Sequence, residues 1–570
     1  MKLITGAPGA GKTNRLVSEI RQRLTEGVSP YMILATTFSR QAAREIADRI
    51  GGDVPVRTIH GMAYWLIRLA RQARGDKVPQ VISEDRALAL MERAAKELDV
   101  RFVEPRQAIQ DMERIRSRGG KYDALHPLVQ QMIQRYFQIL RAENLVDFTG
   151  LLEQCTRELE DDELRSFLKG IYVFVDEAQD INPVTEWPVL EVLLKGSREF
   201  VLLASPSQSI YGFRGANWEK LVAGFPQAMQ TEVMLDNHRS TPEIISAARP
   251  LAGPDAIGMR PIRSSLGIPV IAVDALNPET EIDYIGRQIV QWIESFRQQG
   301  IAISEIAVLT RTHAQQNPLQ IALRLRGIPY QIVGSAQDVF QREETQAVLG
   351  YLRLTLNPMD DGMLESIINY PPCGIGNRTR YQLRRDEVLT WDHLIAVLGK
   401  PGMYREQVVQ RVNRILDLRE IFADLYGKDL KVSNLVTNII HLSEISSYLN
   451  SEGDFAAARA LGELVVTSVE FGSLERFLEY LEEQVTRPRQ AEGIQLSTLH
   501  ASKSREWKAV IIPGFHDGLL PLEGSDLREE QNLAFVGLTR AKDQLVLTMS
   551  RAMPMSPLLA GVPLTPVRWP

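Results

Sequence analysis

Lys2-Leu3-Ile4-Thr5-Gly6-Ala7-Pro8-Gly9-Ala10-Gly11-Lys12-Thr13 reads as a short apolar strand running into a glycine loop. Residues 6–13 fit the pattern GxxxxGK[ST], the P-loop. Its glycines let backbone N–H groups wrap a phosphate, its lysine (Lys12) reaches β/γ oxygens, and its hydroxyl (Thr13) ligates Mg²⁺. The residues that follow place Leu16, Val17, Ile20 and Leu24 on one helical face, and Gly27 ends that helix. Tyr31–Phe38 reads as a second strand, Ser39 as an N-cap, and Arg40–Ile50 as a second helix. Alternating strands and helices with unbroken apolar strands imply a parallel sheet covered on both faces.

The composition bounds what this sheet belongs to. The chain has 570 residues, which at roughly 150 per domain predicts about four domains. Hydrophobic residues make up 44% and charged residues 24%, which excludes a disordered chain or a fibre. Two cysteines exclude a disulfide framework, a Cys-rich zinc site and an iron–sulfur cluster, and point to a reducing, cytoplasmic compartment. No apolar run approaches the roughly 18 residues that span a bilayer, and the N-terminus is not a signal peptide. The net charge of -6 excludes a protein that coats nucleic acid by bulk charge, so any DNA must be gripped in a local groove.

Farther along, the pattern turns helical without strands from about Arg68 to Arg157, with Ala87–Leu98 and Pro127–Glu143 amphipathic. Strands return at Ile171–Val175, Phe200–Ala204, Val270–Ala272, Ile306–Leu309 and Tyr330–Val333. A second helical block, about Gly376–Thr486, is followed by the linker Arg487–Gly493. A last α/β stretch has strands near Ala509–Ile512 and Gln544–Thr548, and the Pro-rich tail after Arg551 reads as irregular. The predicted fold class is α/β: two parallel-sheet domains in tandem, each with a helical insertion. The boundaries are 1–66 with 150–232, insertion 67–149, 233–375 with 488–570, and insertion 376–487.

Ile171–Val175 is a buried strand ending in Asp176 and Glu177. At a strand tip Asp176 can hold Mg²⁺ and Glu177 can polarise the attacking water; alone, the pair could equally be an acidic helix start. The order and content of the segments around it resemble the UvrD/Rep family of superfamily 1 DNA helicases along nearly the whole chain. Ile33–Ile50 resembles that family's strand–helix motif, which makes Phe38 a base-stacking residue, although a strand-end Phe can also be core. Thr58-Ile59-His60-Gly61 resembles its next DNA-contacting segment, with His60. Asp147-Phe148 with Leu151-Leu152 resembles its return from the first insertion, and VDEAQDIN (175–182) its Walker B segment. QSIYGFRGA (208–216) resembles the third motif: the resemblance makes Gln208 a γ-phosphate sensor, Tyr211 and Phe213 base-sandwiching residues, and the adjoining Arg214 a nucleic-acid contact.

LDNHRSTPEI (235–244) resembles the fourth motif, with Arg239 an arginine finger. LSTLHASKSRE (496–506) resembles the fifth, with Thr498 and His500 facing DNA and Glu506 facing the nucleotide sugar. EQNLAFVGLTRAK (530–542) resembles the sixth, with Arg540 the second finger. The resemblance implies P-loop (RecA-like) folds for both parallel-sheet domains, ATP and Mg²⁺ as cofactors, single-stranded and tailed duplex DNA as partners, and movement 3′→5′. Arg114, Arg116, Arg118 and Lys121 form a basic cluster that either touches duplex phosphates or is a solvated helix face. The Gly374-Ile375-Gly376 turn is either a phosphate nest or a domain-boundary turn.

The sequence departs from the family in four places. Only five residues stand before Gly6, which leaves no room for the family's Gln-containing adenine-reading segment, and His238 stands where Tyr usually stacks on adenine; together they predict loose base discrimination, unless the start of the chain is mis-assigned. Ala204-Ser205-Pro206 replaces the Gly-Asp that opens the third motif, and Ser504 and Trp507 replace Gly and Phe in the fifth. The expected function is an ATP-dependent 3′→5′ single-stranded DNA translocase and helicase. The alternative is an ATP-gated DNA clamp or recruitment module that hydrolyses ATP and unwinds poorly. A small-molecule P-loop kinase explains the first 50 residues and Asp176 only.

Overall fold

A computed structural model describes the chain except residues 52, 101, 160–165, 167, 227–228, 254–256, 334–338, 374, 376–382, 384–388, 399–405, 429–430, 453–454, 470 and 487–491. Gly374 and Gly376, and the boundaries drawn at 376 and 487–488, lie outside the described residues.

The first sheet has six parallel strands in the order Val56–Thr58, Ile33–Thr37, Tyr172–Val175, Glu199–Ala204, Lys2–Gly6, Gln230–Met234. Successive side chains of a strand point to opposite faces. Ile4, Ala35, Phe174, Val201 and Leu203 therefore meet Leu16, Val17, Ile20, Ile46 and Ile50 on one side. Leu3, Leu34, Val173, Val175 and Leu202 meet helices Ile59–Arg74, Phe148–Glu158 and Trp187–Gly196 on the other. Ser39 caps helix Arg40–Ile50, accepting from the Ala42 amide at 3.1 Å. All strands being parallel, the chain leaves each at the same edge. That edge carries the glycine loop, Phe38, Asp176-Glu177 and Ser205–Gln208.

The second sheet has seven parallel strands in the order Tyr330–Val333, Ile494–Thr498, Ile306–Thr310, Trp507–Ile512, Ala541–Ser550, Ile271–Ala275, Thr565–Trp569. Helix Pro278–Gln298 covers one face, and helices Pro242–Ala248 and Leu527–Leu538 the other. The Pro-rich tail is not irregular here. Thr565–Trp569 is the edge strand of this sheet, where Pro566 costs no ladder bond on the solvent side, and Trp569 packs edge-on to Tyr284 with centroids 5.1 Å apart.

Residues 82–140 form a separate helical core. Contrary to the strandless reading of this region, Gln80–Val81 pairs with Leu145–Val146, tying the ends of the insertion together. The basic cluster there divides. Arg116 is buried, giving two 3.0 Å bonds to Asp147 and one of 3.1 Å to each of Glu113 and Glu153, so it is an internal clamp and not a phosphate contact. The second helical core extends back through helix Glu343–Leu356 to Phe340, upstream of the boundary at 376, because that helix is buried on nearly every side. No described helix is long and apolar enough to cross a membrane.

Candidate nucleotide site and nucleic-acid groove

In the glycine loop Gly9 (φ 73°) and Gly11 (φ 79°) adopt the left-handed backbone. At Gly9 a Cβ would lie 2.8 Å from the Arg239 Cβ and 2.9 Å from Asn237 Nδ2, so the loop has no space for a side chain there. Lys12 is buried and donates to the carbonyls of Gly6 (3.0 Å) and Ala7 (3.1 Å). Burial pulls its ammonium down to about 8, against the fields of Glu177 and Asp176. Thr13 Oγ1 donates to Asp176 Oδ2 at 3.2 Å. The glycine loop and the carboxylate, 163 residues apart, thus meet on neighbouring strand ends.

Burial and the adjoining Glu177 push the Asp176 carboxyl up to about 7. Glu177 goes the other way: burial opposes its ionisation, but Lys503, Lys12, the Gln179 amide and Arg540 together hold it below the usual range. Glu177 also sits at φ 57°, a strained backbone for a non-glycine residue. Two adjacent carboxyls with separated proton affinities are the arrangement expected of divided labour. Gln179 bridges outward, donating to Glu177 and accepting from the Ser205 amide at 2.8 Å. Ser205, at the position the family fills with an acid-containing pair, donates to the Gly6 carbonyl at 2.8 Å. It thereby braces the glycine loop.

The second α/β unit closes over this loop. Asn237 Nδ2 donates to the Pro8 carbonyl (2.7 Å) and the His238 amide to that of Gly9 (3.0 Å). The His238 side chain is exposed beside the loop. Arg239 donates to Glu506 and to the Thr539 carbonyl at 3.1 Å. Burial opposes the charge of Glu506, yet Arg239 and Lys542 (3.1 Å) hold its carboxyl down at about 2. Arg540 is buried and forms no ion pair with a carboxylate among the described residues, although the fields of Glu177 and Glu506 reach it. It donates to the carbonyls of Val536 (2.9 Å), Lys503 and Arg505 (3.3 Å), and burial plus the field of Arg239 lower its proton affinity well below the ordinary value. Lys12, Arg239 and Arg540 are thus close enough to feel one another's charge, with Arg239 paired to Glu506 and Lys12 and Arg540 destabilised as cations chiefly by burial.

Gln208 is buried at the seam between the units, and its carbonyl accepts from Lys503 at 2.6 Å. Lys503 is the residue that sequence reasoning missed. It is buried, paired with Asp180 of the Walker B segment, and lies 5.2 Å from the centre of the Tyr211 ring. Its only sequence signal was its place inside LHASKSRE.

Phe38 and Tyr211 stack on each other, centroids 4.5 Å apart and planes at 19°. The Arg214 guanidinium lies 5.2 Å over Phe38, and His500 meets Phe213 edge-on at 5.8 Å. Phe213 is 64% exposed, so it presents a free face. These five residues come together although they span positions 38 to 500. The other two nucleic-acid candidates make no ring contact with these five among the described residues, although the charge of Arg214 reaches His60. His60 lies edge-on to Phe148 at 5.8 Å and 4.0 Å from Glu186. Thr498 is buried, and its hydroxyl accepts from the Ala501 amide at 3.3 Å, turned onto its own loop. Trp507, the departure from Phe, is a buried core aromatic.

Known proteins are similar to this chain along nearly its whole length. DNA helicase II of Salmonella typhimurium and of Escherichia coli are each 29% identical to this chain, over 96% of it and 82% of their own length. The ATP-dependent DNA helicase PcrA of Bacillus subtilis is 25% identical, over 96% of this chain and 80% of its own. Residues 1–225 match the UvrD/REP helicase N-terminal domain and residues 233–552 the UvrD-like helicase C-terminal domain, so the chain belongs to the UvrD/REP helicase family.

Proposed function

We propose that the chain is a cytoplasmic ATP-driven motor that moves 3′→5′ along single-stranded DNA and separates tailed duplexes. The observation that carries the reading is the convergence of Lys12, Arg239 and Arg540, from both α/β units, on the glycine loop opposite Glu177. Burial disfavours the charge of Lys12 and of Arg540, a cost that an entering polyphosphate offsets, which supports a γ-phosphate that clamps the units together. On this reading Gly6–Thr13 wrap the phosphates, and Lys12 exchanges the Gly6 and Ala7 carbonyls for phosphate oxygens. Glu177, held ionised, orients the water and takes its proton. Arg239 and Arg540 neutralise charge that develops on the transferred group, and Gln208 reports the γ-phosphate to the groove. His238 and Glu506 flank the nucleoside.

Among the described residues no three metal-binding side chains gather at one point. The two oxygens at hand, on Thr13 and Asp176, fit an ion that takes its remaining ligands from water and phosphate, as Mg²⁺ does. When bound there, Mg²⁺ would neutralise charge between the β- and γ-phosphates.

Phe38, Tyr211, Phe213, Arg214 and His500 supply the strand's stacking surface, worth roughly 1–3 kcal/mol per base and tolerant of sequence. The same reading divides the chain into two motor units and two helical insertions, the second starting near residue 340.

The test is unwinding of 3′-tailed and 5′-tailed duplexes with ATP and with GTP. Strand separation of the 3′-tailed duplex is expected. DNA-stimulated hydrolysis without separation would instead favour the clamp. Glu177→Gln is expected to abolish turnover while ATP and DNA still bind; retained turnover removes Glu177 from this role.

A further inference from the structure

Between the two units lies a cavity of about 850 Å³. The first unit contributes Ser209, Gly212 and Phe213 to its wall, and the second His500, Arg311 and Glu529. It adjoins the exposed face of Phe213, so a strand stacked there must pass through it. Glu529 sits in the first turn of helix Leu527–Leu538, which Asp526 caps by accepting from the Glu529 amide at 2.9 Å. Its side chain crosses to the other unit and accepts from the Gly212 amide at 3.1 Å. The approach is close enough that a Cβ on Gly212 would meet Glu529 Oε2 at 2.8 Å.

This carboxylate has no cation of its own among the described residues. Arg311 is taken by Glu530 at 2.6 Å, and Arg528 is paired with Glu219 at 2.6 Å. Burial raises its proton affinity, Asp526 and Glu530 add to that, and only the amides of Phe213 and Gly212 oppose it. An unpaired anion inside a groove built to stack bases works against a polyanionic strand. Its first-turn position favours its own helix through the helix dipole whichever way the side chain points, so the crossing to Gly212 is not what that helix requires.

We propose that Glu529 sets the DNA affinity of the groove as a resident competitor of the strand: it holds the Gly212 side of the cavity shut across the two units, and a phosphodiester enters only when the carboxylate swings out. The inference rests on the DNA-motor reading above and adds to it a residue that keeps the DNA-free cleft closed. A motor that must release and regrip its track gains from an internal anion that shortens each grip.

The experiment is titration of a fluorescent single-stranded oligonucleotide, read by anisotropy at fixed salt, with the unmodified chain and with Glu529→Ala, Glu529→Gln and Glu523→Gln. Glu523 is an exposed acid on the same approach and serves as the charge control. Both Glu529 variants are expected to bind about five- to tenfold tighter, the scale of one charged hydrogen bond exchanged for a phosphate contact, with Glu523→Gln within about twofold. Equal or weaker binding by Glu529→Ala overturns the proposal, because Glu529 then supports the 209–216 loop. Equal tightening by Glu523→Gln also overturns it, because bulk charge then explains the gain. Should Glu529→Ala fail to fold, Glu529→Gln keeps the shape of the side chain and decides alone. If the unmodified chain binds no DNA at all, the DNA-motor reading itself falls, a result distinct from either of these.

Discussion

Lys503, from the second unit, joins three groups of the first. Its ammonium pairs with Asp180, holds the Gln208 carbonyl and lies against Tyr211, and it is the largest single charge lowering the proton affinity of Glu177. Removing one partner of a buried pair leaves an uncompensated charge, at a cost of about 3–5 kcal/mol. Lys503→Met is therefore expected to lower the unfolding midpoint and cut DNA-stimulated hydrolysis by at least about tenfold. Adding Asp180→Asn should restore the midpoint without restoring turnover, because Glu177 still lacks its counter-charge. Unfolding and hydrolysis measured on the two single variants and the double variant check both halves. The two groove-side histidines set a pH dependence. Burial first, then Arg214 for His60 and Arg311 for His500, holds each imidazole down at about 4, against an ordinary value of 6.5. Between those values the unfolded chain takes up protons that these two native imidazoles refuse, so their contribution to stability falls as pH drops from about 6.5 to about 4, while Asp176 and Asp180, raised to about 7, contribute in the opposite sense. His60→Gln with His500→Gln should remove that part, so that in a series of unfolding midpoints against pH the double variant loses less on acidification from about 6.5 to about 4 than the unmodified chain does.

At the scale of elements, what the sequence made legible was whatever is encoded locally. The strand–glycine loop–helix of residues 2–25, the Ser39 cap and the run Tyr172–Val175 before Asp176 each carry their signal in a few consecutive residues, and each appears where the pattern places it. Thr565–Trp569 was illegible because a strand with Pro in it is stable only at an edge, and the edge is supplied by Ile271–Ala275, nearly 300 residues earlier. Arg116 looked solvated because its acids, Asp147 and Glu153, come from a different helix and its cap. The upstream reach of the second helical core was hidden for a similar reason. Helix Glu343–Leu356 follows directly on the strands of the α/β unit, yet its buried faces are completed by helices after residue 406. In the site, motif order located Lys12, Asp176, Glu177, Arg239 and Arg540. Lys503 and Glu529 depend on which unit faces which, and no local spacing reports that.

Across the whole molecule, the contact between the two α/β units is polar over the groove. Glu219–Arg528, Gly212–Glu529, Ser209–Asn532 and Asp180–Lys503 make up one line of it, and Asn237 on Pro8 lies near the nucleotide. Polar interfaces exchange readily with water, so such units are expected to move relative to one another, whereas the sheet cores on either side are dry and close-packed. The net charge of -6 suits this design, because affinity comes from a cleft that opens and shuts and not from a basic coat. If the cleft must open for a strand to advance, fixing it should separate binding from cycling. Glu219 and Arg528 are both exposed and face each other across the mouth. Cysteines at these two positions, joined by a short bis-maleimide, are expected to leave nucleotide binding within about threefold while lowering DNA-stimulated hydrolysis at least about tenfold. The same double variant without the linker should turn over like the unmodified chain; Cys155 is too buried to compete for the reagent, and the partly exposed Cys373 is replaced by Ser in all the proteins compared. Undiminished DNA-stimulated turnover in the linked protein would mean that hydrolysis proceeds without the two units parting at this mouth, and the strand would then have to advance by movement of the helical insertions alone.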